Sequence, residues 1–164
     1  KQTTAPMLAP IYAACEGLAL GGLSAMFEAQ LPGIVFQAIL GTFATMFTML
    51  ALYMGRVIQV TEKLRSVIFV STATVAVFYL AQFILGFFGV NMTASLPPHF
   101  MIGINVLVII VAALNFLTDF SIIERGVDFH APKYFEWYCS FGLLVTLVWL
   151  YLEILKLLSR LNRR

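Results

Sequence analysis

The sequence predicts an all-α protein, a polytopic transmembrane helix bundle with five spans. Hydrophobic residues make up 61% of the 164 residues and charged residues only 11%, and the mean hydropathy is +0.94. A soluble domain would carry about 25% charged residues. Five stretches are long enough to cross a hydrocarbon core of about 30 Å, and they cover residues 8–27, 33–54, 66–88, 99–119 and 134–157. Because they leave no room for a soluble domain, we expect a single transmembrane domain over residues 1–164.

The first span is predicted to be a retained helix. It is longer than the apolar region of a typical signal peptide, and Glu28 and Pro32 follow it where small residues would mark a cleavage site. It carries a small residue at every fourth position, namely Ala13, Gly17, Gly21 and Ala25. Such a stripe lets another backbone approach closely. Ordinary helix packing is the simpler interpretation, and a dimer interface is the alternative.

The second and third spans are apolar helices that also contain hydroxyl side chains. The second includes Thr45 and Thr48, and the third includes Ser71, Thr72 and Thr74. Ser and Thr hydroxyls can bond to a carbonyl one turn earlier in their own helix. These residues therefore require no channel to explain them.

Prolines mark the starts of the fourth and fifth spans. Pro97 and Pro98 precede Phe100, and Pro132 precedes Tyr134. The first turn of a helix is where a missing backbone N–H costs least. Both positions therefore fit helix starts.

Five spans place the two termini on opposite sides of the membrane. The side of the N-terminus holds six basic residues, which are Lys1, Arg56, Lys63, Arg65, Arg125 and Lys133. The other side holds four, which are Lys156, Arg160, Arg163 and Arg164. Because cytoplasmic segments carry the excess of basic residues, the N-terminal side is predicted to be cytoplasmic.

Glu16 is the strongest pointer to function in the sequence. It lies about 12 Å along the first span, close to the centre of the hydrocarbon core. An ionised carboxylate that faced lipid at this depth would cost several kcal/mol. Glu16 must therefore be protonated, paired or turned toward a polar interior. The alternative to a functional role is a protonated Glu16 that donates a hydrogen bond to a neighbouring helix.

Asp119 and Glu136 are predicted to meet near the cytoplasmic interface. Asp119 lies about 28 Å along the fourth span, and Glu136 stands two residues after the start of the fifth. The hairpin between the spans could bring both carboxylates to one level. Asn115, one turn before Asp119, could add an amide to this cluster.

Two carboxylates held close repel each other, so such a pair can trade a shared proton for a cation. With Asn115, the pair of Asp119 and Glu136 would form a sparse metal site for Ca²⁺, completed by water or backbone carbonyls. The alternative is that these acids pair with the nearby Arg125 and Lys133.

Two further acids are secondary candidates. Glu124 follows Asp119 closely in the sequence. Glu153 lies about 25 Å beyond Glu136 along the fifth span, so it cannot join the predicted pair. We expect Lys156 and Arg160 to be its partners.

The sequence argues against an enzyme and against nucleic-acid binding. It contains no His-Glu-x-x-His and no Gly-x-Ser-x-Gly motif, and His99 and His130 fall on opposite sides of the membrane. No basic face is interleaved with aromatic residues, as nucleic-acid binding would require. We expect no cofactor, with Ca²⁺ as the one ion to consider.

Several segments in the same order resemble the Bax inhibitor-1 family, and in particular its bacterial YccA-type branch. They are APIYAACEGLALG at 9–21, LNFLTDF at 114–120, IERG at 123–126, APKYFEWY at 131–138 and LYLEIL at 150–155. The resemblance extends over essentially the whole chain. It implies seven transmembrane helices with the last enclosed by the other six, of which this sequence resembles helices three to seven.

The resemblance also implies a function and a site. Family members are expected to form a proton-regulated Ca²⁺ leak gated by two carboxylates in the last two helices, or to modulate a membrane protease of the FtsH type. Asp119 matches the first gating acid by its Asp-Phe context at the end of the sixth family helix. The second acid has no clean match, since Glu136 sits too early in the last helix and Glu153 lies at the wrong depth. The early helix that supplies a basic latch in the leak-type members has no counterpart here.

We therefore expect a multi-pass protein of the bacterial inner membrane, surrounded by lipid, with a proton-sensitive site for cations. The alternative is an interaction protein that moves no ions. Its partner would be a membrane protease or a larger membrane complex of which it is an accessory subunit. The sequence leaves the oligomeric state open.

Overall fold

The chain forms a bundle of long helices in a computed structural model, which describes residues 5–89 and 97–162. Within these ranges the structure contains no strand. The helices are α1 (Ala5–Gln30), α2 (Ile34–Met54), α3 (Glu62–Phe87), α4 (Pro98–Asp128) and α5 (Tyr134–Asn162). All five are long and apolar enough to span a membrane, so the prediction of an all-α polytopic bundle is confirmed. Lys1, Arg163 and Arg164 of the charge count lie outside the described residues.

The fourth helix is longer than predicted, and this changes the depth of the residues on it. The expected end was residue 119, but α4 continues to Asp128 and contains 31 residues. Its length is about 46 Å, which exceeds the hydrocarbon core by about 16 Å. The polar segment after Asp119 therefore continues the helix beyond the membrane, where apolarity no longer marks its end.

The fifth helix is the central element of the bundle. It packs against α4, α2 and α1, while α3 packs mainly against α4. The largest buried cluster joins α4 and α5 through Ala112, Phe116, Phe120 and Leu150. A second cluster joins α2 and α5 through Ile34, Ala38 and Leu155. A polar side chain on α5 is consequently the one best placed to contact several helices at once.

The first helix lies at the edge of the bundle. No residue from 7 to 30 is buried. A Cβ atom added to Gly17 or Gly21 would meet nothing within 4 Å, and Ala25 is exposed. Gly17, Gly21 and Ala25 therefore lie clear of the other described helices, whereas Ala13 is half-buried. Ordinary packing and a dimer interface both stay predictions for this stripe.

Candidate functional site

The best-connected polar group of the described chain is a network around Glu153. The Glu153 side chain is only 1% exposed, and its carboxylate accepts hydrogen bonds from Tyr79 Oη (2.8 Å) and Asn105 Nδ2 (3.0 Å). Lys156 Nζ lies 2.5 Å from Glu153 Oε1. Arg160 donates to Asn105 Oδ1. We call Tyr79, Asn105, Glu153, Lys156 and Arg160 the Glu153 network.

This network joins three helices within the membrane. Tyr79 belongs to α3, Asn105 to α4, and the three charged residues to α5. Lys156 also donates to Tyr79 Oη at 3.2 Å and stands 4.7 Å from the centre of the Tyr79 ring. Because every oxygen of the buried carboxylate has a donor, the cost of burying this charge is offset. The expected pairing of Glu153 with Lys156 is confirmed, and Arg160 reaches the network through Asn105.

Asp119 has a different environment, with few partners and no base. Its Oδ2 accepts a hydrogen bond from Thr146 Oγ1 at 2.6 Å. No ion pair joins Asp119 to another described residue. It lines a cavity of about 210 Å³ between α4 and α5, together with Tyr138, Phe141 and Gly142. Asp119 is thus a partly buried carboxylate beside open space.

The predicted cluster of Asp119, Glu136 and Asn115 is not assembled. Asp119 faces α5 at Gly142, where an added Cβ would lie 3.8 Å from its Oδ1. Glu136 is exposed and lies six residues earlier, about 9 Å back along α5. Asn115 donates instead to Thr72 Oγ1 on α3 at 2.8 Å. The pairing was predicted from a helix end at residue 119, but α4 continues for nine residues to Asp128, so Asp119 lies more than two turns before the hairpin.

No metal site is visible among the described side chains. Residues 5–89 and 97–162 contain no group of three or more His, Cys, Asp or Glu side chains that could hold a metal ion. Asp119 and Glu136 line different cavities. A cation at Asp119 would therefore need Thr146, backbone carbonyls or water as its further ligands.

Glu16 lies near the middle of α1 and, like Asp119, forms no ion pair with a described residue. Tyr12 Oη, one turn earlier, donates to Glu16 Oε1 at 2.9 Å. Its Oε2 atom is buried and has no hydrogen-bond partner among the described residues. The Tyr12 ring packs 4.9 Å from the ring of Phe141 on α5. Because Gly142 follows Phe141, the pair of Glu16 and Tyr12 reaches the turn of α5 that Asp119 faces from α4.

The remaining candidate, Glu124, lies at the end of the bundle that was predicted to be cytoplasmic. Tyr53 donates a hydrogen bond to its carboxylate, which is exposed. Nearby, Glu62 lies 3.2 Å from Arg125 and 3.4 Å from Arg65. These contacts hold the ends of α2, α3 and α4 together at the surface.

Sequence reasoning missed three polar residues that contact the buried acids. They are Tyr79, Asn105 and Thr146, and each lies in an apolar stretch. Asn105 carried a usable signal, since an amide inside a membrane helix needs a polar partner. Tyr79 and Thr146 carried none, because Tyr is common in spans and a Thr hydroxyl can bond to its own helix.

The fold and these sites define a multi-pass membrane protein with carboxylates buried inside a helix bundle. The chain matches the family model described as Bax inhibitor 1 like over residues 1–163. The protein belongs to the Bax inhibitor-1-like family. No curated protein and no solved structure matched the chain.

Proposed function

We propose that this protein is a proton-sensitive cation leak of the bacterial inner membrane, with Asp119 at its site and Ca²⁺ as the ion. The observation that supports the proposal is the environment of Asp119. It is a carboxylate within a span that faces a cavity and has a hydroxyl, Thr146, as its partner. Ionisable residues kept inside membranes commonly mark ion or proton pathways.

The chemistry follows from the absence of a base beside Asp119 in the described chain. A protonated Asp119 is neutral and needs no counter-ion within the membrane. Once it loses the proton, its charge must be balanced, and a cation in the adjacent cavity can supply that balance. Proton and cation then compete for one carboxylate, so cation movement depends on pH.

Glu16 on α1 supports the same proposal. Its Oε2 is a buried acceptor without a described partner, and its hydrogen-bonded neighbour Tyr12 contacts Phe141. Asp119 approaches the adjacent Gly142. Asp119 directly and Glu16 through Tyr12 are therefore linked to one turn of α5, and small movements of this helix would alter the surroundings of both.

The test is Ca²⁺ flux into liposomes that contain the full chain and a Ca²⁺-sensitive dye. We expect a pH-dependent flux that Asp119→Asn reduces at least tenfold, the effect of losing about 1.4 kcal/mol of cation stabilisation. Glu136→Gln is the matched control, because this exposed acid belonged to the predicted pair but lies outside the Asp119 cavity. Absence of flux in the wild type, or equal flux in wild type and Asp119→Asn, would eliminate the leak.

A second candidate function is favoured by the exposed stripe on α1. Gly17 and Gly21 lie open on α1, of which residues 7–30 include no buried one, and small-residue stripes let membrane helices approach closely. The protein would then dock a membrane protease of the FtsH type, as the YccA-type branch implies, or another membrane complex. Under this proposal it moves no ions and has no enzymatic activity or cofactor of its own.

Co-purification distinguishes the two functions. A stoichiometric membrane partner that is retained by the wild type and lost with Gly21→Leu would support docking. Retention of the partner by Gly21→Leu and its loss with Met26→Ala would place the interface on another face of α1, since Met26 lies opposite Gly17 on the helix and is 65% exposed. Flux in liposomes that contain the purified chain alone would contradict a purely docking role.

A further inference from the structure

Two cavities lie one after the other along a single face of α5. The first is the Asp119 cavity, whose wall includes Val145. The second encloses about 370 Å³, and we call it the Lys156 cavity because Lys156 lines it together with Trp149 and Leu152. Residues 145, 149, 152 and 156 are three or four positions apart, so they share one face of the helix. Only one helical turn, from Val145 to Trp149, separates the walls of the two cavities.

Helix α1 lies beside both cavities. Its Tyr12 ring packs 4.9 Å from the ring of Phe141, which lines the Asp119 cavity. Further along α1, Leu23 and Phe27 line the Lys156 cavity. Because the same two helices border both spaces, a route from one cavity to the other follows α5 and crosses no helix.

Together the two cavities extend over most of the apolar core of the membrane. Gly142 lines the first and Lys156 the second. The two residues are 14 positions apart, which is about 21 Å along the helix axis. This distance is roughly two-thirds of a hydrocarbon core of about 30 Å.

The two cavities differ in charge. The described residues that line the first include the acid Asp119 and no base. The second borders the Glu153 network, in which one acid is accompanied by two bases, Lys156 and Arg160. Glu28 lies at the same end of the bundle, but its carboxylate accepts two backbone N–H groups at the start of α2, where the helix dipole balances its charge. The Lys156 cavity therefore carries one excess positive charge.

Lys156 is the part of this charge that an ion in the cavity meets. Its side chain is 35% exposed, whereas that of Glu153 is 1% exposed. The Glu153 carboxylate is also covered by its donors Tyr79 and Asn105. A fixed positive charge beside an ion path repels a passing cation, and the low dielectric constant of the protein interior strengthens the repulsion.

We propose that the two cavities form one cation path along α5 and that Lys156 is the electrostatic barrier on it. This inference rests on the proposed leak, because Asp119 is the cation site of the same path. Asp119 then determines cation affinity and pH dependence, while Lys156 limits the rate at which Ca²⁺ passes. One excess charge slows the leak without closing it.

Ca²⁺ flux into liposomes that contain the full chain tests the barrier. Lys156→Gln keeps a hydrogen-bond donor for Glu153 and removes the positive charge. We expect it to raise the flux at least tenfold, a change that corresponds to about 1.4 kcal/mol. The charge-conserving Lys156→Arg should not raise the flux. Lys133→Gln is the matched control, because Lys133 precedes the other end of α5 and lines neither cavity.

A double variant distinguishes a path through Asp119 from a general loss of membrane tightness. Lys156→Gln combined with Asp119→Asn should show the low flux of Asp119→Asn, since both residues act on one path. A gain that persists in the double variant would overturn the proposal. Equal flux in Lys156→Gln and wild type, while Asp119→Asn still lowers it, would overturn the barrier alone. Absence of flux from wild type and every variant would overturn the leak and the barrier together.

Leu152 provides a second test that leaves the Glu153 network intact. It lines the Lys156 cavity one turn before Lys156 on the same face. Leu152→Lys adds a second positive charge to the path and should lower the flux at least tenfold relative to Leu152→Gln, which is polar but neutral. Equal flux in these two variants would overturn the barrier, even if Lys156→Gln does not fold.

Discussion

The Glu153 network and the Asp119 cavity each contain a carboxylate inside the membrane helix bundle, but the two carboxylates differ in their partners. Glu153 has a lysine at 2.5 Å and two neutral donors, from Tyr79 and Asn105. Asp119 has one hydroxyl partner, Thr146, and an open space beside it. A fully paired carboxylate keeps its protonation state and its partners, whereas a sparsely paired one can gain or lose a proton and bind a new partner. The comparison supports the proposal that Glu153 is structural and that Asp119 is the functional acid.

The largest effect should come from removing the acid of the Glu153 network. Glu153→Ala leaves Lys156 without its buried partner, which should lower the free energy of unfolding by about 3–5 kcal/mol. Thermal unfolding in detergent measures the loss. Glu62→Ala is the control, since Glu62 also contacts two basic groups but is 79% exposed and should cost at most about 1 kcal/mol. Equal losses of unfolding free energy in the two variants would contradict a structural role of Glu153.

The next effect concerns the backbone packing that holds α4 against α5 near Asp119. A Cβ at Gly126 would lie 2.7 Å from Phe135 Cδ1 and closer still to Cε1. Gly126→Ala should therefore destabilise the protein by about 1–3 kcal/mol, as overpacking does. Unfolding measurements should show that the double variant Gly126→Ala with Phe135→Leu regains part of the stability that Gly126→Ala loses. A stable Gly126→Ala protein would show that the hairpin is looser than the contact implies.

A smaller effect is expected at Asp119 itself. Thr146→Val removes the 2.6 Å hydrogen bond to Asp119 and should cost about 1 kcal/mol. Asp119→Asn keeps an oxygen for the same bond, so it should change stability by less than this while it changes Ca²⁺ flux strongly. A double-mutant cycle measured by unfolding isolates the pair. If Asp119→Asn destabilised the protein as much as Glu153→Ala does, Asp119 would be as important for stability as Glu153, and the proposed difference between the two regions would be contradicted.

The smallest effect should appear on α1. Gly21→Ala adds a methyl group where nothing lies within 4 Å, and it replaces a poor helix former. The variant should be stabilised by about 0.5 kcal/mol in detergent. A clear destabilisation would instead show that the stripe is covered, and light scattering would then report whether a second copy of the chain covers it.

The sequence alone was sufficient to predict some of the residues in the two regions. The residues Glu16, Asp119 and Glu153 were recognised because a carboxylate in an apolar span stands out without any structure. The pairing of Glu153 with Lys156 followed from helical spacing, since residues three apart share a face. The pairing of Asp119 with Glu136 failed because it required the end of α4 to a precision of a few residues, and apolarity does not mark a helix end outside the membrane.

Composition and hydropathy determined that this protein is a helical multi-pass membrane protein, because a bilayer imposes span length and apolarity on each helix separately. Only the tertiary structure decided which partners these side chains have on other helices. The rotation and depth of each helix bring Tyr79 and Asn105 to Glu153, Thr72 to Asn115 and Thr146 to Asp119. Those contacts join residues on different helices that are 27 to 74 positions apart in the sequence, and they depend on how the helices pack together.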